Sequence, residues 1–256
     1  MDALKLFGQA FKEGSLWNEL HYDNRPVKIH SRYVAWFDVM GSKHVMVNAI
    51  RNAICFVGVL HRSVEMAAKG FKDIEIHSMT DGVYAISSGF DEIKMFATCV
   101  MRSCARYFLQ QSLHSNRFLV RCSIAYGKVV LPISMLKGFS AATQKTDNYT
   151  YNVMLGIPFV KAEQGEHNAP PFGIYLDESI RTQTDDALKI AWVLHRWWNH
   201  EKNNELCFAR AFGNEVLKHL TELEKNPISY GAPECTKLVK YEAAVREYFE
   251  LIADEK

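Results

Sequence analysis

The chain has 256 residues, with 30 Lys and Arg against 29 Asp and Glu for a formal net charge of +1, and 48% of it is hydrophobic. That balance provides no field to draw it to nucleic acid or an anionic membrane, and an aromatic content of 12% excludes a disordered or low-complexity class. The length predicts one large domain, or one domain with an appendage. Cys55, Cys99, Cys104, Cys122, Cys207 and Cys235 form no CxxC pair. They are expected to act as small hydrophobes rather than as a zinc site or a disulfide framework. The longest apolar stretch, Ala53 to Leu60, is too short to span a bilayer, and the charged first residues lack a signal-peptide core. A cytoplasmic location with neither nucleic acid nor membrane as partner is the expectation.

Residues 1–31 predict a short N-terminal helix and an arm. Arg32–Met40 (RYVAWFDVM) is aromatic and β-branched and predicts a buried strand closed by Gly41. Ser42–Lys69 predicts a helix whose stripe carries Val45, Ala49, Ala53, Phe56 and Leu60. Asp73–Met79 and Val83–Ser87 read as a hairpin joined at Thr80-Asp81-Gly82. A second helix is expected over Phe90–Leu113. A strand over Arg117–Tyr126 follows, with Lys128–Leu131 continuing it beyond Gly127 or forming a ribbon. Leu155–Gly165 predicts a short helix with Pro158 in its first turn, where proline is tolerated. Phe172–Leu176 predicts another strand. Strand, helix, two hairpin strands, helix, strand is the order of a ferredoxin-like (split βαβ) α+β fold. Two amphipathic helices, Glu205–Leu223 and Lys237–Ile252, close the chain as a C-terminal extension packing on the domain. The expected division is residues 1–31, 32–183 and 184–256. Trp192, Trp197, Trp198, His195 and His200 are expected in core or interface, since no HExxH pattern accompanies them.

Two acids stand in unusual places. Asp38 lies inside an otherwise apolar strand just before a glycine turn, and Asp81 lies at the hairpin tip. Singly, an Asp-Gly is usually a turn, and a strand-end Asp is often a helix cap or an ion-pair partner. In a ferredoxin-like sheet, however, the first strand and the central hairpin are neighbours, so the two carboxylates meet at one end. Paired carboxylates beside a glycine turn and a helix N-terminus suit Mn2+ or Mg2+ carrying a triphosphate.

On these residues the chain resembles the class III nucleotidyl cyclases. Trp36-Phe37-Asp38-Val39-Met40-Gly41 is similar to their metal-binding first strand. Thr80-Asp81-Gly82 is similar to their second metal aspartate, and Arg121-Cys122-Ser123-Ile124-Ala125-Tyr126-Gly127 to a strand whose arginine contacts triphosphate. Gly156 and Ala162 match the glycine and alanine of their substrate helix. The resemblance implies two metals at Asp38, the Val39 carbonyl and Asp81. It implies a phosphate cradle from Val39, Met40, Gly41 and Ser42, and Arg121 beside the phosphates. It also implies a homodimer with shared sites. Departures accompany it. Val160 and Gln164 replace the family's ribose-binding Asn and transition-state Arg, leaving Lys161, Lys43 or Arg181 as substitutes. His77 and Val153 occupy the base-reading positions, so the family's purine readers are missing. In that loss the chain is similar to the pyrimidine cyclases of the bacterial Pycsar anti-phage system. UTP is then the implied substrate, 3′,5′-cyclic UMP the product, and a cyclic-nucleotide-activated effector the downstream partner. The alternatives are a cytidylate or purine nucleotide cyclase, or a degenerate nucleotide-binding or dimerisation module, the last favoured by Val160 and Gln164.

Overall fold

The computed structural model describes residues 29–131, 154–181, 193–198, 205–226 and 235–251. The expected N-terminal arm, the loop over 138–151, Val153, Trp192 and His200 lie outside the described residues.

The fold is α+β. A central strand β1 (His30–Val39) pairs antiparallel with β3 (Gly82–Ser87) on one side and β4 (Val120–Val130) on the other, and β2 (Glu75–Met79) forms the hairpin with β3. The order β2-β3-β1-β4 is that of the split βαβ expectation. Beyond it the sheet continues through β6 (Ile174–Leu176), parallel to β4, and β7 (Leu194–His195), while β5 (Leu155–Gly156) pairs with the far end of β4.

Alternation along β1 sorts its side chains onto two faces. Ala35, Phe37 and Val39 enter the large core under helices α2 (Ile50–Ala68) and α3 (Phe90–Gln110). Helix α3 buries Ile93, Phe96, Ala97, Val100, Met101, Cys104 and Phe108, one stripe at helical spacing. Val34 and Trp36 enter a smaller cluster on the opposite face with Tyr84, Ile86, Ala125, Phe159 and Ala162, under the short helix α4 (Ile157–Gly165).

Three elements depart from expectation. The single helix from Ser42 is broken at Ala49 (φ −150°) into α1 (Ser42–Asn48) and α2, with no proline or glycine at the break. The Asn52 side-chain amide, donating to the Ser115 carbonyl at 2.8 Å, ties down the start of α2. Strand β4 does continue through Gly127, but Leu155–Gly156 is a strand rather than the first turn of α4. Strand β7 was not anticipated; it places His195 3.0 Å from the Thr98 hydroxyl.

After the short helix α5 (Glu178–Arg181), the C-terminal helices α6 (Glu205–Lys225) and α7 (Cys235–Tyr248) are continuous with the main core. Phe108 of α3 meets Phe172 and Phe212, Trp197 meets Phe212 and Phe249, and the Trp197 indole donates to the Phe172 carbonyl at 2.6 Å. Trp197 and Trp198 are core residues, as expected. Cys104 and Cys122 are buried hydrophobes, whereas Cys55 and Cys207 are exposed. Among the described residues no helix is long and apolar enough to cross a membrane.

Candidate active site at the end of the central strands

The pairing register decides which side chains converge. Asp38 is the Cα partner of Gly82 on one neighbour strand and of Arg121 on the other. Met79, Gly82, Asp38 and Arg121 therefore form one row across the sheet, on the face away from α2 and α3. The row below it is His77, Tyr84, Trp36 and Ser123. Trp36 and Tyr84 pack with ring centroids 4.3 Å apart, and Phe159 closes on Tyr84 at 5.3 Å. That aromatic layer walls the carboxylate end from below.

Asp81 occupies the two-residue connection between β2 and β3, and its placement is fixed from both sides. The Ser42 hydroxyl donates to Oδ2, and the Thr80 hydroxyl donates to Oδ1 at 2.9 Å. Gly41 precedes α1 in the left-handed region (φ 71°), and this turn brings Ser42 under the hairpin tip. The structure thus gathers Asp38, Asp81, Gly41 and Ser42 at one end of β1. The Met40 amide is already spent on the Leu119 carbonyl at 2.8 Å. The cradle expected over Val39–Ser42 is therefore narrower by one donor; the His44 and Val45 amides are also spent, on the Gly41 carbonyl at 3.0 and 3.1 Å, so the Ser42 and Lys43 amides at the start of α1 are the ones left to face an anion.

Arg121 is buried. One of its terminal nitrogens donates to Glu166 Oε1 at 2.9 Å, and the guanidinium lies 6.0 Å from the Tyr241 ring of α7. Glu166 follows the last residue of α4 and is itself 4% exposed. It reaches Arg121 because Gly165 packs against the sheet. A Cβ there would stand 2.5 Å from the Ser123 hydroxyl. Sequence reasoning missed Glu166. It lies 45 residues from Arg121 in the chain, and nothing local in Gln164-Gly165-Glu166-His167 marks it.

Burial, then the Glu166 and Asp81 carboxylates, push the Asp38 carboxyl up to about 8, with Arg121 opposing. Glu166 Oε2 is buried without a donor, so acceptor faces acceptor at this point of the site. The Asp38 and Asp81 carboxylates and the Val39 carbonyl are hard oxygen donors that fit a divalent cation, whose charge would relieve the repulsion that raises Asp38. Among the described residues no three or more His, Cys, Asp and Glu side chains make a complete metal cluster. Asp38, Asp81 and the Val39 carbonyl would hold the cation.

A pH dependence follows. A folded-state value above the ordinary 3.8 means that the Asp38 contribution to stability is complete below about pH 4 and is lost as pH rises through 8. Thermal unfolding without metal should show that decline, and Mn2+ affinity should rise over the same interval as the cation displaces a proton. A flat Mn2+ affinity between pH 6 and 9 would contradict this arrangement.

Other expected site residues do not converge here within one chain. Lys161 is 3.3 Å from Asp177 and lines a cleft of about 500 Å³ with Ser31, Tyr126, Gly127 and Ser179. Arg32 pairs with Gly127 six residues down β1 from Asp38, so that cleft is about 20 Å from the carboxylates. His77 is half-buried on the carboxylate face, two strands from Asp38. Val160 and Gln164 are exposed on α4, and Lys43 is exposed on α1.

No family model matches the chain, and no curated protein matches it. Solved structures do. The monomeric guanylyl cyclase domain of the RhoGC fusion protein from the aquatic fungus Blastocladiella emersonii is 12% identical, with a TM-score of 0.42 over 60% of this chain and 85% of that one. A bacterial light-regulated adenylyl cyclase is 10% identical, with a TM-score of 0.45 over 72% of this chain and 58% of that one. The guanylyl cyclase Cya2 is 11% identical, with a TM-score of 0.44 over 63% of this chain and 82% of that one.

Proposed function

We propose that the protein is a nucleotidyl cyclase that converts UTP to 3′,5′-cyclic UMP and pyrophosphate. The observation that carries the reading is the meeting of Asp38 and Asp81 at the end of β1, beside the Gly41 turn and the start of α1. The ribose 3′-oxygen attacks the α-phosphorus in line. The bond from that phosphorus to the bridging oxygen breaks, pyrophosphate leaves, and the 3′-OH proton passes to solvent. Bound Mn2+ or Mg2+ would neutralise phosphate charge and lower the pKa of the attacking hydroxyl. The chain's part is positioning. Asp38 and Asp81 fix the cations, Ser42 orients Asp81, the α1 amides receive phosphate oxygens, and Arg121 adds positive charge beside them.

Pyrimidine choice is supported by the sequence at the base-reading positions, where His77 and Val153 replace the purine readers. Uracil presents O4 as acceptor and N3–H as donor, and cytosine reverses both. A pocket built for one leaves polar groups unpaired with the other, at about 1–3 kcal/mol each, or about ten- to a hundred-fold discrimination. A homodimer with shared sites would give Lys161 and His77 roles opposite a partner's carboxylates. The exposed Val47, Ile50 and Ile54 on α1 and α2 supply apolar surface of the kind such assembly covers. The cyclic product would act on a separate effector in anti-phage defence, as in the Pycsar systems the sequence resembles.

Purified protein given ATP, GTP, CTP and UTP separately with Mn2+ should yield cyclic UMP fastest, and His77→Ala should erode the preference for UTP over CTP more than it slows turnover. Preference for ATP or GTP overturns the pyrimidine assignment alone. Mn2+-dependent nucleotide binding without turnover would support instead a degenerate binding module, the reading that Val160 and Gln164 favour.

A further inference from the structure

Arg121 and Asp38 are Cα partners on adjacent strands with side chains on the same face. An arginine so placed pairs with the aspartate unless another acceptor holds it. Glu166 is that acceptor. It takes one terminal nitrogen of Arg121, which His167 Nδ1 also approaches at 3.5 Å, and its carboxyl lies within hydrogen-bonding reach of Asp38; both the Glu166 and Arg121 side chains are nearly fully buried, and Nε of Arg121 keeps a spare N–H with no partner among the described residues. Tyr241 limits the guanidinium on the α7 side. We propose that Glu166 is a positioning residue that holds the Arg121 guanidinium off Asp38 and so leaves the Asp38 carboxylate open to a divalent cation. The inference rests on the metal-site reading above and adds to it a residue that takes no part in ligating the cation. With Glu166 gone, Arg121 turns its free N–H groups onto Asp38, and the cation has to break that pair to bind.

The test is a double-mutant cycle on Mn2+ binding, read by electron paramagnetic resonance on the intact chain without nucleotide. Glu166→Met keeps a chain of similar length and offers neither donor nor acceptor, and Arg121→Met removes the guanidinium. Glu166→Met alone should weaken Mn2+ binding about tenfold or more, whereas in the Arg121→Met background the same change should alter it less than about twofold. The double variant should fold, because an apolar pair of similar volume replaces a buried ion pair. Should Glu166→Met fail to fold alone, Glu166→Asp, which retracts the carboxylate by one methylene, should give a smaller loss that Arg121→Met again abolishes. Equal losses in both backgrounds would mean that Glu166 acts on the cation by its own charge or as a ligand, and would overturn the proposal. An unchanged affinity in Glu166→Met, with wild type binding Mn2+, overturns it while leaving the metal site standing. Absence of Mn2+ binding by wild type overturns both.

Discussion

Asp38→Asn and Asp81→Asn should each reduce cyclisation about a thousandfold or more, since a bound cation contributes several kcal/mol to the transition state and each 1.36 kcal/mol is tenfold in rate. The two variants should differ in stability. Asp38 is buried, faces the Glu166 and Asp81 carboxylates, and is pushed up to about 8, so the fold favours its neutral form. Asparagine imitates that form at every pH. Without metal, Asp38→Asn should therefore melt at the wild-type temperature below about pH 4 and above it at pH 9. Asp81 instead accepts hydrogen bonds from Ser42 and Thr80, and its replacement removes an anchor of the hairpin tip. Activity surviving either change sinks the metal assignment. A melting temperature for Asp38→Asn below wild type at pH 9 contradicts the electrostatics.

Gly82→Ala should damage stability and activity together. A Cβ at Gly82 would lie 2.2 Å from the Trp36 indole and 2.7 Å from the Phe37 carbonyl oxygen. The carbonyl belongs to the paired strand and cannot yield without separating β1 from β3. Overpacking at such a point costs about 3 kcal/mol, which for a chain of this size lowers the melting temperature by about 6–12 °C. The strain falls between Asp38 and Asp81, so Mn2+ affinity should fall with it. Trp36→Phe combined with Gly82→Ala opens space at the indole and should recover part of the stability. No recovery would mean that the backbone contact alone sets the cost.

Much of the fold was legible because its signals are local. Trp36 and Phe37 sit in a β-branched run, Asp81-Gly82 sits at a hairpin turn, and the stripe through Phe96, Val100 and Cys104 repeats at helical spacing. The Asp38–Asp81 meeting was legible once the strand order was assumed, because β1 lies beside the hairpin in that order. What escaped the sequence was non-local. Strand β7 is two residues long and exists because β6 offers it an edge. Glu166 belongs to the site because Gly165 lets α4 close on Ser123, a packing fact without periodicity. Arg121, which the resemblance sets beside phosphate, is buried against Glu166, a partner the sequence did not indicate, since a charge on a covered strand needs a counter-charge. Lys161 lies toward the far end of β4 because α4 starts beside Gly127 and reaches the carboxylate end only at Gly165.

The central claim is that Asp38 and Asp81 direct a ribose hydroxyl, rather than water, onto the α-phosphorus. The most direct measurement incubates the protein with UTP and Mn2+ in water enriched in oxygen-18 and analyses the products by mass spectrometry. The account predicts cyclic UMP and pyrophosphate in equal amounts, no heavy oxygen in the cyclic product, and loss of both products in Asp38→Asn. Linear UMP carrying heavy oxygen would show a hydrolase, and turnover that persists in Asp38→Asn would place the chemistry elsewhere; either result contradicts the account.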